Sequence, residues 1–400
     1  EAQRVEMEPD RLIPVSLSMT VPSVRLWSPD SPSLYTVIQR TTHNGILVDE
    51  SYFHLGFRDF SVKENHFTLN GAPFFLKGTT YLEYSPVHGR SLTYDELERD
   101  VLIMKNLGVN AVRITNGVVH PYFLALCDRY GLLVFQDLPA IGVPSSILGR
   151  PALQATAKNV LREMLSRDGT HPSVVAYGLA QGVDGSAAGF QEYFSSVLDV
   201  SRNRDNKLIY ASFLRPPDKE WPGELDFVSV DVSPMDLEST KKLIRFYVEK
   251  FASKPILISS LMYPVEVGNY NGYSDPRSID AQAQYYLEVF TEVWNNKLAG
   301  IIVHSFCDWG VSTPVMSVDR IQQFTATAGI LDLYRQKRLA YDVLKARFNN
   351  EKPPVLMVGN YTPDHPASFV VVGLLIILIF AVMYNLFRRF RENVVRSFLR

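Results

Sequence analysis

Apolar and polar positions follow three successive patterns along the chain. Through residues 1–62 they alternate between turn residues, as in Val37-Ile38-Gln39 and Tyr52-Phe53-His54-Leu55, which predicts antiparallel strands with one covered face. From Asn65 short apolar runs alternate with helical stretches, the pattern of a parallel sheet covered by helices. Strands are predicted at Phe74 to Lys77, Asn110 to Arg113, Leu132 to Gln136, Val174 to Leu179, Lys207 to Ala211, Phe227 to Val230, Ile256 to Ser259 and Ile301 to Ser305. Between the first two, Thr93-Tyr94-Asp95-Glu96 forms a capping box, Leu97, Val101 and Met104 mark one helical face, and Gly108 ends the helix. Eight such units across residues 63–350 fit an α/β fold of the (β/α)8 TIM-barrel type, which takes roughly 250 residues plus insertions. A doubly wound open sheet is the alternative.

The third pattern is a run without formal charge from Ala367 to Phe387. At ~1.5 Å per residue it is long enough to cross a hydrocarbon core ~30 Å thick. Arg388-Arg389-Phe390-Arg391 follows at once, so the expectation is a single transmembrane helix at 367–387 and a basic cytoplasmic segment at 388–400, with the large N-terminal part extracytoplasmic at a cell membrane. Residues 351–366, with Pro353, Pro354, Gly359, Pro363 and Pro366, read as a linker. An outward-facing domain needs an export signal, and none precedes Glu1, so the chain reads as a piece of a longer protein.

Composition narrows the function classes. With 46% hydrophobic and 20% charged residues the chain can build a large core. Without the five Arg and one Glu that follow Ala367, 35 basic side chains face 41 acidic ones. A mildly acidic ectodomain argues against nucleic-acid binding, which needs concentrated positive charge. Cys127 and Cys307 fall in a predicted helix and strand and read as two buried thiols. No metal-ligand cluster, phosphate loop or dinucleotide fingerprint implies a cofactor.

The run from Arg167 to Gly182, RDGTHPSVVAYGLAQG, resembles the R-D-x-x-H-P-S-x-x-x-W-S-x-G-N-E motif of glycoside hydrolase family 2, the β-galactosidase, β-glucuronidase and β-mannosidase group. Leu26-Trp27-Ser28-Pro29 through Leu34-Tyr35, and Gly56-Phe57-Arg58, resemble segments of that family's immunoglobulin-like domain. The resemblance therefore implies a partial immunoglobulin-like β-sandwich at 1–62, about half of the usual ~100 residues, ahead of the barrel at 63–350.

For chemistry, the resemblance implies a retaining glycosidase, whose two carboxyl groups stand ~5 to 5.5 Å apart at strand C-termini. The acid/base position is Gly182. Lys254-Pro255-Ile256-Leu257-Ile258-Ser259-Ser260 resembles the segment that ends on the nucleophile, whose position is Ser260. Neither residue carries a carboxylate, so the expected catalytic pair is absent. Supporting positions differ from the family pattern as well: Asn116 and Leu82 stand at histidines, Thr80 at an asparagine, Asp231-Val232-Ser233 at N-x-Y, and His304 at a tryptophan.

Glu83, Asp137, Asp184, Glu266 and Asp308 lie near strand ends. Asp184 and Glu266 are the candidate replacement carboxylates, although solvated loop charges are the simpler reading, and Asp308 reads as a structural hydrogen-bond partner. Arg113, Asn116, Asp137, His304, Asp308 and Trp309 are the candidate substrate-binding residues; Arg113 fits an ion pair inside the barrel equally well. Tyr81, Tyr84, Trp221, Tyr263, Tyr270 and Tyr273 offer sugar-stacking faces or core packing. These observations favour a membrane-anchored, glycosidase-like protein without hydrolytic activity that binds carbohydrate or a protein partner. The alternatives are a glycosidase with relocated carboxylates and a scaffold of a membrane complex with no sugar ligand.

Overall fold

The computed structural model describes residues 2–360 except 7, 9, 11, 116, 202–205, 217–224, 233–235 and 317–321. Regular structure begins with a hairpin of β1 (Tyr35–His43) and β2 (Ile46–Leu55), antiparallel from Tyr35 opposite Leu55 to His43 opposite Ile46. Asn44 and Gly45, both at positive φ, form its turn, because only such residues match the twist of the flanking strands cheaply. This ribbon is the only paired sheet among the described residues of 1–55, where a partial sandwich is expected. Next comes a three-stranded antiparallel sheet, β3 (Phe60–Lys63), β4 (His66–Leu69) and β5 (Ala72–Phe74). The change of pattern expected at 62/63 thus falls inside β3. Phe74, expected to open the first barrel strand, pairs with Phe67 instead.

The barrel strands are β6 (Leu76–Tyr81), β7 (Ala111–Ile114), β8 (Leu133–Asp137), β9 (Val174–Gly178), β10 (Val183–Asp184), β11 (Leu208–Tyr210), β12 (Ser212–Arg215), β13 (Val228–Val232), β14 (Ile256–Met262) and β15 (Gly300–His304). All pair in parallel, β6 to β9 in sequence, β9 with β11, β12 through β15 in sequence, and β15 back with β6. Ala211 alone separates β11 from β12, so 208–215 acts as the fifth strand and the ring closes at eight. Four expected strands continue two residues or more past their expected ends, the first to Tyr81, the fifth to Arg215, the sixth to Val232 and the seventh to Met262, because Thr79, Thr80, Ser212, Asp231 and Ser260 continue the ladders with polar side chains.

Helices α1 (Tyr94–Leu107), α2 (Pro121–Tyr130), α3 (Ser145–Leu148), α4 (Pro151–Asp168), α5 (Ala188–Ser201), α6 (Leu237–Lys250), α7 (Ile279–Asn295) and α8 (Leu339–Phe348) surround the ring. In α1 the Thr93 hydroxyl accepts from Glu96 N, the Glu96 carboxylate accepts from Thr93 N, and Gly108 closes the helix at φ 90°. A hairpin of β16 (Trp309–Met316) and β17 (Gln322–Ala326) lies in the connection after β15.

Aromatic side chains fill the barrel's lower end, where the strands begin. Phe60 and Phe67 reach in from β3 and β4 to meet Phe135, Tyr210 and Phe227, with centroids 5.1 Å apart for Phe67 and Phe227 and 4.9 Å for Tyr210 and Phe227. The retained motif braces this end. Asp168 pairs with Arg167 at 2.5 Å and accepts from Gln136, while Asp128 holds His171 at 2.5 Å and accepts from Ser173 N. Buried Trp27 donates to Asp128 O, and Arg58 donates to Pro172 O and Val174 O, which fixes the N-terminal segment here.

Residues 351–359, expected as linker, are held against the barrel. Lys77 Nζ donates to Phe348 O at the lower end, and Tyr273 N and Ser274 N donate to Met357 O and Val358 O at the upper end. Gly272 and Gly359 touch so closely that a Cβ on either would collide with the other's backbone. Cys127 and Cys307 are buried free thiols. Among the described residues no helix is long and apolar enough to cross a membrane; the expected span at 367–387 and basic segment at 388–400 lie outside them.

Truncating Phe67 to Ala should remove the centre of the aromatic floor and cost about 3–5 kcal/mol, read as a lowered urea midpoint. A loss under about 1 kcal/mol would mean that the floor does not hold the barrel closed.

Candidate active site at the barrel mouth

At the upper strand ends the barrel interior turns from apolar to polar. On β7, Ala111 belongs to the inner apolar cluster while Val112 and Ile114 pack outward against the helices, so alternation sends Arg113 inward. It is fully buried. Its five N–H groups make five hydrogen bonds to four acceptor atoms: Nε and Nη2 donate to Asp137 Oδ2 at 2.9 and 2.6 Å, Nη1 to Ser259 O at 2.8 Å and Asp231 Oδ1 at 3.2 Å, and Nη2 to Ser212 Oγ at 3.2 Å. Burial disfavours the cation, but the charges of Asp137 and Asp231 outweigh it and hold Arg113 above its ordinary pKa. The guanidinium is therefore saturated by the protein, with no N–H left for a ligand. Asp137 is occupied in the same way, its Oδ1 accepting from Tyr210 OH.

Ser212, Ser229 and Ser259 lie beside this pair, their hydroxyls within 2.6–2.7 Å of one another, and Ser212 and Ser259 both donate to Asp231 Oδ1. Asp231 is thus held through one oxygen. Its Oδ2 faces Gly182, where a Cβ would sit 3.7 Å away, in ordinary van der Waals contact. Gly182 has φ 63°, a conformation that resists other side chains. Ser260 is buried and stands beside Asp231 in the β13–β14 register. The two positions where the resemblance expects carboxylates thus flank a carboxylate from a third strand. The expected strand stops at Val230, and Asp231 stands at the asparagine of the family's N-x-Y segment; the signal for its inward position is the alternation of Ser229 and Asp231.

His304 ends β15 pointing inward, two residues after Ile302 of the inner cluster. Burial and the nearby Arg113 charge push its imidazole down to about 4, so it is neutral at pH 7. Its ring lies edge-on to half-buried Trp309 at 5.1 Å. His304 Nδ1, Thr80 Oγ1 and Gln181 Oε1 are buried polar atoms with no protein partner.

The remaining candidates divide by their partners. Asp308 is a structural anchor, bound through both oxygens to Arg338 and accepting from Gly329 N. Half-exposed Asp184 accepts from Ser186 and faces Arg215 at 3.5 Å; the Ser186 hydrogen bonds, helped by Arg215, lower its pKa, the wrong direction for a general acid. Glu266 accepts from Asn269 and faces Arg277 at 3.9 Å, within its own loop. Glu83, by contrast, is raised by burial, although the His120 backbone N–H opposes the shift. Tyr81 is no sugar platform, since it stacks on Phe123 at 4.4 Å inside the core. Asn116, Trp221 and Ser233 lie outside the described residues.

His304 should make stability pH-dependent. The unfolded chain takes up its proton near 6.5 and the folded one near 4, so this contribution is full above 6.5 and is lost as pH falls to about 4. The loss should reach ~3 kcal/mol. His304→Gln should flatten urea midpoints across that window, and an unchanged slope would contradict a buried neutral imidazole.

Residues 60–335 match the family model for glycosyl hydrolases family 2, TIM barrel domain, and residues 2–58 match a second model, glycosyl hydrolases family 2. Among solved structures, the fold is similar to a GH2 β-galacturonidase from Eisenbergiella tayi bound to galacturonate, at 23% identity and TM-score 0.75, covering 85% of this chain and 62% of that one. A Bifidobacterium dentium β-glucuronidase complexed with coumarin-3-O-glucuronide is similar at 21% identity and TM-score 0.75, over 83% and 56%. A Ruminococcus gnavus β-glucuronidase is similar at 21% and 0.74, over 81% and 59%. This chain spans about three fifths of their length, and at these identities the likeness is one of fold. The strand ring, the braced R-D-x-x-H-P-S segment and the two models matched in chain order together establish that this chain belongs to glycoside hydrolase family 2.

Proposed function

We propose that this protein is a membrane-anchored family 2 domain that binds a carbohydrate at the barrel mouth without hydrolysing it by double displacement. The observation that carries the proposal is that Gly182 and Ser260 occupy the two strand ends where the family places its carboxylates, while Asp184 and Glu266 are engaged locally. Removing one general acid typically costs ~10² to 10⁴ in rate, and the missing nucleophile compounds the loss. Binding needs less. Asp231 Oδ2, His304 Nδ1, Thr80 Oγ1 and Gln181 Oε1 offer acceptors to sugar hydroxyls, and Trp309 offers an aromatic face. The charge-free run at 367–387 with its Arg-rich flank supports anchoring with the barrel outside the cytoplasm. A protein partner is the other ligand class for the same mouth.

A second reading has one observation in its favour. Burial raises the Glu83 carboxyl, the direction a general acid needs, and Asp231, hydrogen-bonded to Arg113, offers a second carboxyl at the strand ends. Nitrophenyl β-glycosides and calorimetric titration with glycans separate the two. The expectation is release no faster than in buffer, and glycan binding weakened about tenfold or more by Asp231→Asn, the loss of about one charged hydrogen bond. Turnover that disappears in Glu83→Gln or Asp231→Asn would replace the binding reading with relocated catalysis.

A further inference from the structure

We infer that the mouth end of the barrel lies against the bilayer surface, so that the site opens toward the membrane; this rests on the anchor proposed above. The first observation is the path of the chain after α8. It leaves the barrel's lower end at Phe348 and reaches the upper rim, where Met357 and Val358 accept from Tyr273 and Ser274 of the β14–α7 loop and Gly359 packs on Gly272. The charge-free run begins at Ala367. From Asn360 a fully extended chain spans at most ~25 Å before that point. The lower end would need the same short connection to cross the whole barrel.

The second observation is independent of the tether. The connections at the mouth end expose large apolar side chains: Val87 after β6, Leu214 at the end of β12, Val267 and Tyr270 after β14, and Phe324 and Tyr334 after β15. Val267 and Tyr270 are 70% and 75% exposed, beside Met357 and Val358, themselves exposed. At the other end the connections leading into β7, β8, β14 and β15 bury theirs, Val109, Leu132, Phe251 and Leu298, and among the described residues the exposed apolar groups there include Trp294 in the last turn of α7 and those of the β1–β2 hairpin. Apolar and tyrosyl groups on several mouth connections around one rim suit an interfacial surface. The tether identifies the occupant as the bilayer, since the anchor holds this face near it.

The test uses the full chain reconstituted in phosphatidylcholine vesicles doped with a lipid carrying a nitroxide headgroup. A fluorophore is placed at Tyr270→Cys on the rim or at Ser253→Cys in the α6–β14 connection, both exposed, while the native thiols are buried. The expected result is that the Tyr270 label loses most of its emission and the Ser253 label keeps most of it. Flotation after an alkaline wash reports the anchor separately. Protein that does not float overturns the anchor and this inference together. Protein that floats with the two labels equally quenched, neither quenched, or Ser253 quenched more overturns the orientation and leaves the anchor standing.

Discussion

One buried arginine sets the limits on everything at the mouth. Arg113 joins β7 to β8, β12, β13 and β14 through side chains or a carbonyl, so a single guanidinium ties together more than half the circumference. A cation at full burial is tolerable only when its donors and its charge are both answered. Here two carboxylates, a hydroxyl and a carbonyl answer them, and the serine cluster completes the acceptors around Asp231. Removing any member would leave a buried charge or donor unpaired, so the members of this layer depend on one another.

The barrel consequently has two ends with different physics. The lower end is an aromatic plug supplied partly by β3 and β4, braced by the Asp128 and Asp168 contacts of the retained motif. Its demands are shape and hydrogen-bond closure, which belong to folding. The upper end holds Asp231, His304, Gly182 and Ser260 at the strand ends, where polar groups replace the apolar core. The Arg113 layer separates the two ends, so the composition of the upper one is not tied to the packing of the lower one.

Much of this was legible in the chain. The eight strands were visible as apolar runs, and α1 was bounded by its capping box and Gly108. The motif from Arg167 to Gly182 placed strand four and its missing acid. What failed did so for identifiable reasons. The first, fifth, sixth and seventh strands were read short because Thr79 and Thr80, Ser212, Asp231 and Ser260 break the apolar run while the backbone ladder continues. Residues 351–359 looked like linker by their prolines, yet their backbone carbonyls are held by a loop some 80 residues earlier in the chain. Asp308 stood both among the candidate substrate-binding residues and as a structural partner, and Arg338 holds both its oxygens; the saturation of Arg113 could not be counted without the four acceptors from four other strands.

The sequence by itself determined the barrel class, the family and the absence of Glu at Gly182 and Ser260, because periodicity and motif spacing are local properties that survive without coordinates. Only the tertiary structure decided which polar groups are committed and which are open. Arg113, Asp137 and Asp308 have every strong donor or acceptor engaged inside the protein, while Asp231 keeps one oxygen toward the mouth. That distinction depends on acceptors brought together from strands far apart in sequence, and burial makes it decisive, since a polar group without water must be answered by whatever the fold places next to it.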